Sequence, residues 1–229
     1  MSGTTHETAA PRQSTAPPPA KPQAPAWRLL ATLGLAGGMA GLFIVLVYGW
    51  AQPRIEAHQA AVLRLAVQEV LQQPDRYDAL FVHDGRIAAT LPAGTDSAGV
   101  ERIYLGYDQA GERVGYAIVT SKAGFQDQIR VIFGFDARTG RLLGMKVLES
   151  KETPGLGDKI EKDSGFVAEF RGVATPLIGV KAGAGRGEAS EVDMITGATI
   201  SSRTLIDAIN AALARLGPML EAYETGGEP

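Results

Sequence analysis

Charge is absent from Leu29 to Trp50, whereas polar and apolar residues interleave almost everywhere else, so the chain divides into one apolar run and a longer mixed segment. At about 1.5 Å per residue, a helix of that length crosses a hydrocarbon core of roughly 30 Å. A transmembrane helix is predicted over residues 27–50, with Trp27, Tyr48 and Trp50 at its two ends, where amphipathic rings favour the interface. The run is too long for a signal peptide, and no small-x-small cleavage site follows it. Residues 1–26 are rich in Pro, Ala, Ser and Thr without apolar periodicity. Such a segment buries too little surface to offset the entropy of ordering, which predicts a disordered tail.

Past the apolar run, Ile55, Val62, Leu65, Val67, Val70 and Leu71 fall on overlapping helical faces, predicting a linker helix within residues 51–75 that stops near Pro74. Val114 to Thr120, Ile129 to Phe135 and Leu142 to Leu148 alternate as strands do, and Asp136 to Gly140 has the residues of a hairpin loop. Phe81 to Ala89, around Asp84-Gly85, reads as another hairpin. Short helical patterns occur near Phe166 to Phe170 and from Arg203 to Leu216, the latter ending at Gly217-Pro218. The fold class predicted is α+β: one N-terminal transmembrane helix, then a single domain over 76–229 with a mainly antiparallel sheet and flanking helices.

The chain has 229 residues, enough after the anchor for one domain with a core of its own. Cysteine is absent, which excludes disulfides, cysteine-ligated iron–sulfur clusters and thiol catalysis. Redox chemistry would need an organic cofactor. His6, His58 and His83 are scattered, so no metal site is predicted. The net charge is −3, and Arg12, Lys21 and Arg28 precede Arg54 with Glu7 alone against them, so the remainder is more acidic still and nucleic acid is an unsuitable partner. The same basic residues place the tail in the cytoplasm and the domain outside, with Arg64 narrowing the bias. Gly34 and Gly38, and again Gly37 and Gly41, repeat four apart, a spacing that lets a partner helix approach closely.

The densest chemistry lies at Asp193-Met194-Ile195-Thr196-Gly197-Ala198-Thr199-Ile200-Ser201-Ser202. Val192 to Ile195 reads as a strand end, Gly197 permits a tight turn, and Leu205, Ile206, Ile209, Leu213 and Leu216 recur at helical spacing. The hydroxyls therefore sit at a helix N-terminus, where unpaired N–H groups and the helix dipole favour a phosphate. Local chemistry equally accommodates ordinary capping by Ser201, Ser202 or Thr204. A second segment, Glu152-Thr153-Pro154-Gly155-Leu156-Gly157-Asp158-Lys159, follows a predicted strand directly. Gly183 to Gly187 superficially suggests a dinucleotide loop but lacks the spacing, the preceding strand and the following helix, so it reads as a flexible loop.

The pattern Asp193-x-x-Thr196-Gly197-Ala198-Thr199-x-Ser201 resembles the recognition motif of the flavin transferase that esterifies FMN phosphate onto a threonine, with Thr199 at the acceptor position and Thr196 where a serine is usual. The Glu152 to Lys159 segment resembles the loop accompanying that motif in membrane-anchored FMN-binding subunits: the G subunit of the Rnf electron transport complex and the C subunit of the sodium-pumping NADH:quinone reductase. The likeness runs from Trp27 to the C-terminus, and the compact length leans toward the Rnf type.

The resemblance implies an FMN-binding domain, with FMN held covalently as a phosphothreonyl ester on Thr199. Asp193 and Thr196 would serve transferase recognition and loop shape, although Asp193 is equally suited to a plain turn or cap. Gly155 and Gly157 would let the backbone approach a flat isoalloxazine, Leu156 would supply apolar contact, and Glu152 and Thr153 would supply polar contacts. Lys159 faces either the phosphate or solvent. The implied protein is an electron-carrier subunit in a bacterial inner membrane with its domain periplasmic, not catalytic alone. Its complex would couple ferredoxin/NAD electron transfer to ion translocation. Its partners would be other membrane and iron–sulfur subunits, and the flavin transferase during maturation. Two other classes compete: a flavin-free membrane-tethered scaffold, and a hydrolase with a Ser or Thr nucleophile, which lacks a histidine in any supporting pattern near Ser201 or Ser202.

Overall fold

The computed structural model describes residues 25–92, 94–95 and 99–226. The tail expected to be disordered falls almost wholly outside the described residues. The chain forms two units, residues 1–54 and 55–229. In the first, residues from Ala26 onward are helical and expose Leu30, Phe43, Ile44 and Leu46. The helix they belong to, α1 (Ala26–Val70), is long and apolar enough to cross a membrane. The anchor and linker segments share this one helix, with Pro53 inside it. α1 ends at Val70, and Gln72 and Gln73 then take left-handed φ of 58° and 63° ahead of Pro74.

In the second unit, β1 (Arg76–His83) and β2 (Arg86–Ala88) form the hairpin expected around Asp84-Gly85. Both turn residues have positive φ, 49° and 73°, the two-residue geometry whose twist matches that of the strands. Then come β3 (Glu101–Tyr107), β4 (Arg113–Ala123), β5 (Gln128–Asp136) and β6 (Arg141–Glu149). Together they make a six-stranded antiparallel sheet in the order β2-β1-β3-β4-β5-β6. β4, β5 and β6 lie where the alternation predicts strands. β3 escapes that pattern because Tyr104 stands on the face opposite Ile103 and Leu105, where a polar residue would mark the alternation, which blurs the period of two. After the sheet come α2 (Lys159–Lys162), α3 (Ser164–Glu169), a parallel pair β7 (Ile178–Lys181) and β8 (Glu191–Met194), and α4 (Thr199–Thr225).

The sheet is covered on both faces. Along β4, Tyr116 and Ile118 point into the larger core, where Leu205, Ile209, Leu216 and Leu220 of α4 are fully buried. Ala117 between them faces the other way, onto Ala66, Val67, Val70 and Leu71 at the end of α1. Each such leucine or isoleucine contributes about 1.5–3 kcal/mol by leaving water. The α1 side is a close fit: a Cβ at Gly134 would stand 2.1 Å from the Val70 carbonyl oxygen, so only glycine admits the helix end there.

α4 corrects the expectation that Gly217-Pro218 ends the helix. It continues to Thr225 although Pro218 removes a ladder hydrogen bond. Burial of Leu216 and Leu220 on either side of the proline maintains the apolar stripe. Beyond it, Glu224 accepts hydrogen bonds from the Tyr116 hydroxyl at 2.5 Å and from Arg113 at 3.1 Å, which ties the last turns to β4. Burial, then the bond to Glu224, pushes the Tyr116 phenol far above its ordinary pKa, so it is a fixed donor.

Candidate functional site

The two motifs singled out in the sequence meet beside the start of α4. Phe125, Glu152, Thr153, Leu156 and Gly157 on one side and Gly197, Ala198, Thr199, Ile200 and Ser201 on the other line a cleft of about 340 Å³. Phe125, Leu156 and Ile200 are 65%, 50% and 56% exposed, so the mouth is apolar and open. Gly197 has φ of +85°, which turns the chain from β8 into α4 and leaves Leu156 as the nearest side chain to where a Cβ would be. Thr199 is the first residue of α4 and is exposed, with its hydroxyl 3.5 Å from the Ile195 carbonyl oxygen.

The other hydroxyls of this turn are committed. Ser202 is buried, donates to the Ala198 carbonyl at 2.9 Å and accepts the Ile195 amide at 3.2 Å. Ser201 is 2% exposed and donates to Glu152 at 2.7 Å. Neither caps the helix, and Ala198 at the cap position has no side chain able to do so. The amides of Thr199, Ile200 and Ser201 therefore lack intrahelical acceptors and form the positive end of a 27-residue helix. A phosphate ester on Thr199 fits this donor set, and an aromatic ring system fits the apolar walls beside it.

Glu152 is 5% exposed, and both its oxygens are engaged. Oε1 accepts the amides of Phe125 at 2.9 Å and Gln126 at 3.1 Å, and Oε2 accepts the Ser201 hydroxyl. Burial pushes its pKa up, but the Ser201 hydroxyl and the amides of Gln126, Phe125 and Asp127 outweigh burial and hold it below the ordinary value. The carboxylate is thus charged and fixed. Two glycines make room for it: a Cβ on Gly124 would lie 2.4 Å from Oε1, and one on Gly157 would lie 2.7 Å from Oε2.

Of the other predicted site residues, Thr153 lines the cleft, whereas Gly155, Lys159, Asp193 and Thr196 do not. Thr196 is exposed in the turn outside the cleft lining. Lys159 begins α2, half-buried, and does not line the cleft either. Gly155 supplies a left-handed turn residue, φ +79°, and Thr153 receives the Leu156 amide on its carbonyl at 3.1 Å. Asp193 accepts the Gly183 amide at 3.0 Å and belongs to a separate hollow with Arg141, Glu169, Arg171 and Glu191. There Glu191 Oε2 accepts the amides of Arg186, Gly187 and Glu188 at 2.6, 2.9 and 3.2 Å. The glycine-rich loop is wrapped around the chain's own carboxylates. Phe125 and Ile200 are cleft residues that the motifs do not indicate. A Gly-Phe pair between two strands is the available signal for the first, and an isoleucine directly after Thr199 is the signal for the second.

The sequence matches the FMN-binding domain family over residues 124–214, a span that contains both walls of the cleft. The G subunit of the ion-translocating oxidoreductase complex from Shewanella loihica is 31% identical over 186 residues, covering 80% of this chain and 85% of that protein. The protein of the same name from Yersinia pestis is 33% identical over 181 residues, covering 75% and 83%. Among solved structures, NqrC of Shewanella oneidensis aligns with a TM-score of 0.53 at 16% identity, covering 68% of this chain and 88% of that one. At that identity the likeness concerns the fold alone.

Proposed function

The chain belongs to the family of G subunits of ion-translocating oxidoreductase complexes, and on that premise we propose that Thr199 holds FMN through a phosphoester. The protein is a membrane-anchored, FMN-carrying redox subunit of a multisubunit oxidoreductase and does not catalyse alone. FMN supplies reversible electron uptake and release at its ring system. The protein's part is to hold and bias that group. Thr199 provides the tether, the uncapped amides at the start of α4 face the phosphate, and Phe125, Leu156 and Ile200 offer apolar surface to the ring system. A covalent tether means that no dissociation equilibrium empties an open site of this kind.

The observation that carries the reading is the state of the hydroxyls. Thr199 is exposed on the cleft, whereas Ser201 and Ser202 beside it are buried and hydrogen-bonded. The domain lies on the periplasmic side of a bacterial inner membrane. A flavin transferase makes the ester, and iron–sulfur and membrane subunits of the complex exchange electrons with it between ferredoxin and NAD. Thr196 and Asp193 shape the segment that the transferase reads. The reading as a C subunit of the quinone reductase has the fold likeness alone behind it.

The test is intact mass and in-gel flavin fluorescence of the denatured chain from its native membrane, wild type beside Thr199→Ala. Fluorescence and the mass of one FMN in wild type, both absent in the variant, support the reading. A colourless chain of unmodified mass, in cells with demonstrated transferase activity, overturns it in favour of the scaffold class.

A further inference from the structure

Three separate segments build the cleft: the turn between β4 and β5, the loop after β6, and the first turn of α4. The turn and the start of α4 lie 27 and 49 residues from the loop along the chain. One side chain bonds the loop to both. Glu152 belongs to the loop, takes two amides of the turn on one oxygen, and takes the Ser201 hydroxyl of α4 on the other. The span from Phe125 to Ser201 is closed through a single carboxylate. Gly124 and Gly157 leave no space for any larger side chain beside it.

We infer that Glu152 is a positioning residue of the flavin site: it sets Phe125 and Leu156 against Thr199 and places a fixed negative charge in the cleft wall. This rests on the reading of the cleft as the flavin seat, but the mechanical half concerns this chain's own residues. Two roles follow from one group and are separable. As a lock, it holds the Phe125 turn and the start of α4 in one geometry, so that an apolar wall stands opposite the tether. As a charge, it opposes the accumulation of negative charge on a reduced ring nearby, because a buried carboxylate is screened less than one in water. That bias makes the bound flavin a stronger reductant.

Glu152→Gln separates the two. The amide oxygen still accepts from Phe125 and Gln126, and the amide nitrogen can donate to Ser201, whose hydroxyl accepts as readily as it donates. The lock survives while the charge is lost. Glu152→Leu removes both, and Ser201→Ala cuts the tie to α4 while keeping the charge.

The experiment uses the full-length chain in detergent or nanodiscs. Hydrogen exchange of the Phe125–Gln128 peptide is followed by mass spectrometry in a Thr199→Ala background, where no ester can form. Glu152→Leu is expected to speed exchange there about tenfold or more, the loss of hydrogen bonds to a charged group, while Glu152→Gln leaves it near wild type. In the flavin-bearing chain the midpoint potential rises in Glu152→Gln and stays near wild type in Ser201→Ala, while visible circular dichroism of the flavin changes in Ser201→Ala. Unchanged exchange in Glu152→Leu overturns the lock, and an unchanged potential in Glu152→Gln overturns the electrostatic bias. Should Glu152→Leu fail to fold, Ser201→Ala and Glu152→Gln still decide both points. A chain without flavin would defeat the proposed function, yet the exchange result would stand on its own.

Discussion

The Ser202 hydroxyl accepts the amide of Ile195 at 3.2 Å, closing the turn between β8 and α4 from inside the helix that follows it. Ser202 is fully buried, so this turn does not rely on water for its hydrogen bonds. Ser202→Ala strands the Ile195 amide and is expected to cost about 1–3 kcal/mol in urea unfolding. Because the same turn presents Thr199, flavin fluorescence per chain should fall in parallel. Full flavin loading with reduced stability would show that the turn's geometry is not what the transferase reads.

Pro218 sits inside α4, where the ring removes one hydrogen bond that an alanine would restore. Pro218→Ala should stabilise the domain by about 1–3 kcal/mol, measured by urea or thermal unfolding, with flavin content unchanged. A loss of stability would mean that the helix follows a path around the proline that Tyr116 and Glu224 require.

Glu152 has a folded-state pKa held below its ordinary value, so the unfolded chain binds that proton more tightly than the folded one. The stability it contributes is fully present above the ordinary glutamate range and is lost as pH falls through the depressed folded value. Asp127 and Asp158 are shifted the same way, by the Gln128 amide and by Lys162 respectively, and add to the acid sensitivity. Unfolding followed between about pH 3 and 7 should therefore show a shallower acid loss for Glu152→Gln than for wild type. Parallel profiles would place the acid sensitivity in the aspartates instead.

The chain contains no cysteine, so one introduced thiol reports topology without background. Ala110→Cys, in the exposed turn between β3 and β4, should react with a membrane-impermeant maleimide added to intact spheroplasts. Labelling that appears only after lysis would put the domain in the cytoplasm and reverse the orientation derived from Arg12, Lys21 and Arg28.

Much of the fold is legible from spacing. Alternation locates β4, β5 and β6 to within one to three residues at each end, as where Ile129, Val131, Phe133 and Phe135 mark the core face of β5. The anchor and the hydroxyl turn before α4 are equally plain. How distant segments share atoms is not written in any local pattern. Glu152 reads as a ring contact from its motif, yet its oxygens are spent on Phe125, Gln126 and Ser201, partners 27, 26 and 49 residues away. Pro218 reads as a helix stop when local propensity is weighed without the burial of Leu216 and Leu220. Asp193 and Lys159 stand within the motifs but outside the cleft, because neighbours in sequence at a strand end or helix start point to different sides.

In the Gly183–Gly187 loop the Gly183 amide is engaged by Asp193, and those of Arg186 and Gly187 by Glu191. A loose phosphate arriving there meets the carboxylates that already hold those amides, beside Arg141 and Arg171. The start of α4, uncapped and bordered by apolar side chains, is the opposite kind of place. The molecule thus keeps its two glycine-bearing turns electrically distinct. At that loop a free nucleotide's phosphate competes with the chain's own acids for three of the amides, whereas at the start of α4 it meets no side-chain cap.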